Sequence, residues 1–168
     1  MSGFKCTRDV GNVAGSLIKV LKKSLIMCLG NELRMDDGAG LVFCRKLKES
    51  NIGITNIIFA YTFPLAYVDK IRDSKVKDLV IVDAIYGCKE PGEILFTKLD
   101  PHMIIEPELV STHNIPLKLV IDYIRSECGD LNIYLLGFQV RNVDFGMELS
   151  PELTKVINDL VDELRRVE

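Results

Sequence analysis

Ser24-Leu-Ile-Met-Cys-Leu-Gly30-Asn-Glu-Leu-Arg-Met-Asp-Asp-Gly-Ala-Gly40 decides the fold of this chain. The first part is a near-continuous apolar run of strand length, the pattern of a strand buried on both faces, as parallel strands in α/β proteins are. The second part is a polar loop, Asn31 to Gly38, leading into Ala39 to Ser50, where Leu41, Val42, Cys44 and Leu47 mark one face of an amphipathic helix. The unit is strand, loop, helix, and Asp36 and Asp37 stand just before the helix start. One acid can cap the helix and favour its positive end, while Gly38 and Gly40 suit tight turns or close packing. The other acid needs a separate use, as a solvated surface charge or as a functional group.

Working outward, Ile54 to Ala60 reads as a second strand and Pro64 to Arg72 as a helix with proline near its start. Leu79-Val-Ile-Val-Asp83 is a third buried strand that ends in an acid. Tyr86-Gly-Cys-Lys-Glu-Pro-Gly92 is turn chemistry, and Glu93 to Leu99 alternates like a strand with one wet face. Too few residues join it to the third strand for a parallel crossover, so it is expected antiparallel, at an edge. A loop to Asn114 follows, then a helix from Pro116 to about Cys128 stopped by Gly129, and an apolar strand from Leu131 to Gly137. Ser150-Pro151 supplies an N-cap and an N1 proline for a last helix ending near Val167. The order predicts a three-layer α/β/α domain: a mostly parallel sheet of about five strands, one antiparallel edge strand and helices on both faces. Residues 1–23 are expected as an N-terminal tail or short helix, and residues 24–168 as a single domain.

Composition agrees with one globular domain. The chain has 168 residues, 48% hydrophobic and 27% charged, with a formal net charge of −3. At this length roughly 70% of the unfolded surface can be buried, so no metal or disulfide is needed to hold a core. The absence of a basic run argues against nucleic acid as the main partner. No stretch reaches the ~18 apolar residues of a membrane span, and the run Val13 to Val20 is interrupted by Lys19 and followed by no small-residue cleavage site. The five cysteines include no C-x-x-C pair and leave an odd one over, which predicts neither a disulfide framework nor a zinc knuckle and suggests a reducing, cytoplasmic compartment. Cys28 and Cys44 read as packed core residues, and Cys88, in a turn, as the exposed one.

Sheets of this kind take ligands beyond the carboxyl ends of their strands. Asp37, Asp83 and His113 come from three separate loops that a parallel sheet gathers at one rim. Two carboxylates and one imidazole form an open set for a divalent transition metal, leaving positions for substrate or water. Taken alone, each residue has a bland reading as a cap, a rim acid or a loop histidine, and His102 keeps that reading. With two histidines in the chain a three-His site is excluded. The chain carries no G-x-S-x-G elbow, Walker A or H-E-x-x-H, and the first loop does not match G-x-G-x-x-G. Ile85, Tyr86, Phe138 and Val140 fall near the same rim, with core packing as the expected use of each.

The order of G-N-x-L-x-x-D-D-G-x-G, V-D-A, P-G-E-I, S-x-H and G-x-Q, from about Leu25 to the last helix, resembles the hydrogenase maturation endopeptidases. The family commonly has proline after the glutamine of G-x-Q, where this chain has Val140. The resemblance implies an endopeptidase that removes a short C-terminal extension from the nickel-loaded large-subunit precursor of a [NiFe] hydrogenase. It implies Asp37, Asp83 and His113 as metal contacts, Asp36 as a support, and Asn31 and Gln139 as substrate contacts. Nickel is expected to arrive with the substrate, so metal in the isolated protein should be weakly held or absent, although another divalent metal can occupy the site. Water activation by the metal and by a carboxylate such as Asp36 or Asp37 both remain open. The alternative is a non-cleaving accessory or chaperone that uses the same metal-recognition site.

Overall fold

The computed structural model describes residues 4–100, 110–111 and 115–168. Along the chain these form β1 (Cys6–Thr7), α1 (Val10–Leu21), β2 (Leu25–Leu29), a 3-10 turn (Met35–Gly38), α2 (Ala39–Glu49) and β3 (Ile57–Tyr61). A second 3-10 turn (Pro64–Tyr67) runs into α3 (Val68–Ser74), and β4 (Asp78–Tyr86), β5 (Ile94–Leu99) and β6 (Val110–Ser111) follow. The last elements are α4 (Leu117–Cys128), β7 (Asn132–Gln139) and α5 (Pro151–Arg166).

The strand order is β1-β5-β7-β4-β2-β3, with β6 beside β4. Parallel pairs join β7 to β4, β4 to β2 and β2 to β3, while β5 and β1 extend the sheet antiparallel on the β7 side. The predicted α/β architecture holds, including the antiparallel Glu93 to Leu99 segment. That strand is not outermost, because the two-residue β1 pairs along its free side through Cys6 and Leu95.

Alternation along the strands divides the core. On one face Ile26, Cys28, Val80, Val82, Leu136 and Phe138 pack against α1, α2 and α5. On the other, Met27, Leu29, Ile81, Ile85, Ile133 and Leu135 pack against α3 and α4. In α5, Leu153, Val156, Ile157, Leu160, Val161 and Leu164 are buried at helical spacing, so the helix covers the sheet with one apolar stripe. The same face takes Val13, Ala14, Leu17, Ile18 and Leu21 of α1. The N-terminal helix therefore contributes to the core of the domain; Asp9 caps it by accepting the Gly11 and Asn12 N–H groups. Among the described residues no helix is long and apolar enough to cross a membrane.

The cysteine pairing corrects the sequence expectation. Disulfides join Cys6 to Cys88 and Cys28 to Cys44, leaving Cys128 as a free thiol. An odd count excludes one cysteine from pairing, not all five, and tertiary contacts bring together partners 82 and 16 residues apart. Cys28 and Cys44 are fully buried, as expected. Cys88, expected exposed, is half-buried against β1.

Candidate active site

β2 connects through α2 to β3 on one side, and the chain then returns through α3 to β4 on the other side of β2. The connections leaving β2 and β4 thus diverge, the arrangement in which α/β sheets take ligands beyond the strand carboxyl ends. β2 pairs with β4 as far as Cys28 and Val82, whereas β6 takes up β4 at Ile85, opposite Ser111. Asp83 lies between these two pairings. Sequence reading ended this strand at the acid, but β4 continues through Ala84 and Ile85, both fully buried, to Tyr86. Asp83 is itself fully buried, and its Oδ1 accepts the Ala84 N–H at 2.8 Å. Alternation puts its side chain on the face of Ile81 and Ile85, the side covered by α3 and α4.

The loop after β2 reaches the same end of the sheet because glycine permits it. A Cβ on Gly40 would lie 2.5 Å from the Leu29 carbonyl oxygen and 2.8 Å from that of Val82, so only a bare backbone lets α2 start over the gap between β2 and β4. Gly30, at φ +147°, makes the sharp exit from β2, where a Cβ would meet the Asp37 carbonyl oxygen at 2.4 Å. The Asn31 N–H donates to that carbonyl at 3.2 Å, and its side-chain oxygen accepts the Leu33 N–H at 3.0 Å. Within the 3-10 turn, which contacts β4, Asp37 is 1% exposed and Asp36 fully buried.

The two adjacent acids differ in their surroundings. Neither acid occupies the N-cap position of α2, which is Gly38. Instead Asp36 Oδ2 accepts the N–H groups of Arg141 and Asn142 at 2.8 and 3.1 Å, and Oδ1 accepts that of Ser150 at 2.6 Å. Asp36 is a positioning residue that ties the 3-10 turn to the segment between β7 and α5. Ser150 precedes Pro151 as predicted, but its hydroxyl makes no cap. The same segment meets Met35, which adopts φ 43° while its N–H donates to the Gly146 carbonyl at 2.8 Å.

Gln139, read from sequence as a substrate contact, uses its amide within the fold. Its Oε1 accepts the Gly87 and Cys88 N–H groups at 3.1 and 2.8 Å, and its Nε2 donates to the Val140 carbonyl at 3.0 Å. Val140, where the family pattern commonly has proline, donates its N–H to the Ile85 carbonyl at 3.1 Å. His113 and His102 lie outside the described residues; Ser111, two residues before His113 in the chain, pairs with Ile85 of β4, two residues beyond Asp83.

Of the apolar rim residues, Ile85, Phe138 and Val140 belong to the core and Tyr86 is exposed. Sequence reading missed a groove of about 420 Å³ beside the first loop, lined by Gly30, Asn31, Leu33, Tyr61 and Met147 among others. Its walls come from three separated segments, so no local pattern announces it. Leu33, Tyr61 and Met147 are exposed large apolar side chains, a solvent exposure that hydrophobic patterning alone would have assigned to the core.

The hydrogenase maturation protease family profile matches residues 44–167. The chain belongs to this family. It is 29% identical over 140 residues to the hydrogenase 3 maturation protease of Escherichia coli, covering 83% of this chain and 87% of that one. The crystal structure of a [NiFe] hydrogenase maturation protease from Thermococcus kodakarensis superposes with a TM-score of 0.71 at 29% identity, over 90% of this chain and 97% of the other. The solution structure of an E. coli endopeptidase of the family gives 0.66 at 27% identity, over 86% and 90% of the two chains. Members of the hydrogenase maturation protease family are peptidases, and so is this protein. The matched span includes Asp83, His113 and Gln139.

Proposed function

We propose that this protease removes a short C-terminal extension from the nickel-loaded large-subunit precursor of a [NiFe] hydrogenase. The observation that carries the reading is the pair of buried acids, Asp37 and Asp83, on two elements that meet at the split between β2 and β4. With His113 they make a donor set of two carboxylates and one imidazole, suited to the open positions of a divalent nickel ion carried by the substrate. Nickel is then part of what is recognised, and its attachment fixes the nearby peptide. Water attack on the scissile carbonyl is assisted by the metal or by one of the two carboxylates. Asp36 holds the loop, and Asn31 borders the groove that receives the substrate chain.

The test is intact-mass measurement of precursor incubated with the protein, with and without nickel. Loss of a C-terminal fragment from the nickel-loaded form alone is expected, and Asp83→Asn or His113→Ala should stop it. Processing at the parent rate by both variants would remove these residues from the site. Cleavage of nickel-free precursor at the same rate would remove nickel from the recognition.

A further inference from the structure

In the turn held by Gln139, one sulfur from Cys6, one from Cys88 and one carboxylate oxygen from Glu93 lie within 4.8 Å of one another. Each ligand is fixed by the fold: Cys6 by pairing with Leu95, Cys88 by its N–H bond to Gln139, and Glu93 by accepting the Lys89 and Glu90 N–H groups at 2.8 and 3.0 Å through Oε2. Arg8 adds a further tie, donating to the Pro91 carbonyl at 2.9 Å. All three ligand residues are half-buried, so an ion can reach them from solvent.

We infer that, once the Cys6–Cys88 disulfide is reduced, Cys6, Cys88 and Glu93 form a binding site for a soft divalent cation of the zinc class. Two thiolates and a carboxylate so close together would repel one another if ionised without a cation, whereas a divalent ion stabilises the deprotonated sulfurs. Thiolate ligands select zinc-like ions over magnesium or calcium, and three protein ligands leave a fourth position for water. Opening the disulfide takes two electrons from a small dithiol, which becomes its own disulfide and leaves two cysteine thiols. Metal binding then releases both thiol protons. Sulfur–sulfur bond and metal are thus alternative clamps that hold β1 against the turn following β4, one oxidised and one reduced.

The experiment uses the full chain, reduced and freed of reductant without oxygen, titrated with Co²⁺ as a spectroscopic substitute for zinc. A near-ultraviolet thiolate-to-cobalt charge-transfer band saturating at one ion per chain is expected, with displacement by Zn²⁺. The band should persist in Asp83→Asn, since the active-site donors contain no sulfur. It should vanish in the Cys6→Ser/Cys88→Ser double variant, which retains Cys28, Cys44 and Cys128. Glu93→Gln preserves both sulfurs and should weaken binding at least about tenfold. Absence of the band in the reduced parent, or its survival in the double variant, would overturn the assignment.

Discussion

The Asp36 carboxylate accepts the backbone N–H of Ser150 at 2.6 Å, a bond that spans 114 residues and closes the loop before α5 onto the turn after β2. Its other oxygen holds two further N–H groups, at Arg141 and Asn142. Asn in this place must turn an NH₂ toward at least one of these donors, whichever way the amide is flipped. Asp36→Asn is therefore expected to lower stability by about 2–3 kcal/mol, because bonds to an ionised acceptor are among the stronger ones and a buried donor is left unmatched. Urea unfolding should report a lower midpoint at unchanged slope. An unchanged midpoint would show that the carboxylate does not hold the segment.

Two glycines should respond in opposite directions. At Gly40 a methyl group would enter backbone oxygens of both β2 and β4, neither of which can swing aside. Gly40→Ala is expected to cost about 3 kcal/mol, at the upper end of overpacking in a rigid core, and to slow cleavage by moving the start of α2. Gly15 lies inside α1 with nothing within 4 Å of its absent Cβ. Gly15→Ala should raise stability by roughly 0.5–1 kcal/mol through the reduced entropy of the unfolded chain. Thermal unfolding of the pair checks both signs.

Why the fold was readable and much of the site was not follows from the range of the interactions involved. Leu25–Leu29 and Leu79–Val82 are buried on both faces, so their unbroken apolarity states their place locally. β1 and β6 have two residues each, too few for any period, and exist through pairing with β5 and β4. Asp36 and Asp37 look interchangeable in sequence, and the donors that distinguish Asp36 come from more than a hundred residues away. Asp83 is visible as an acid ending an apolar run, but that contrast makes the strand look shorter than it is.

The cysteines should separate by access and by charge. Cys28 and Cys44 are fully buried whereas Cys6 and Cys88 are half-buried, so a mild reductant acting on the native protein should open the Cys6–Cys88 disulfide first. Before reduction Cys128 is the free thiol. Desolvation by burial pushes it above its ordinary range, outweighing the lowering by the nearby Arg72 guanidinium. A raised thiol holds its proton at neutral pH, and the thiolate is the reactive form. Alkylation of unreduced protein should accordingly be slower at pH 7 than for a solvent-exposed cysteine and accelerate as pH rises through the elevated value, with peptide mapping locating the label. Rapid labelling at neutral pH would contradict the sign.

The same Asp→Asn change made at Asp83 distinguishes a residue that builds the site from one that works in it. An isosteric amide at Asp83 preserves shape inside the central strand and keeps an oxygen that accepts the Ala84 N–H. Asp83→Asn should thus leave stability within about 1 kcal/mol of the parent, in contrast to the loss at Asp36. Processing of nickel-loaded precursor should fall by at least about a hundredfold, comparable to removal of a group that acts on the reacting atoms. Unfolding curves and precursor mass spectra on the same preparations give both readings. A variant that unfolds early would make Asp83 a structural residue like Asp36, and a stable variant that still cleaves would move the chemistry elsewhere on the rim.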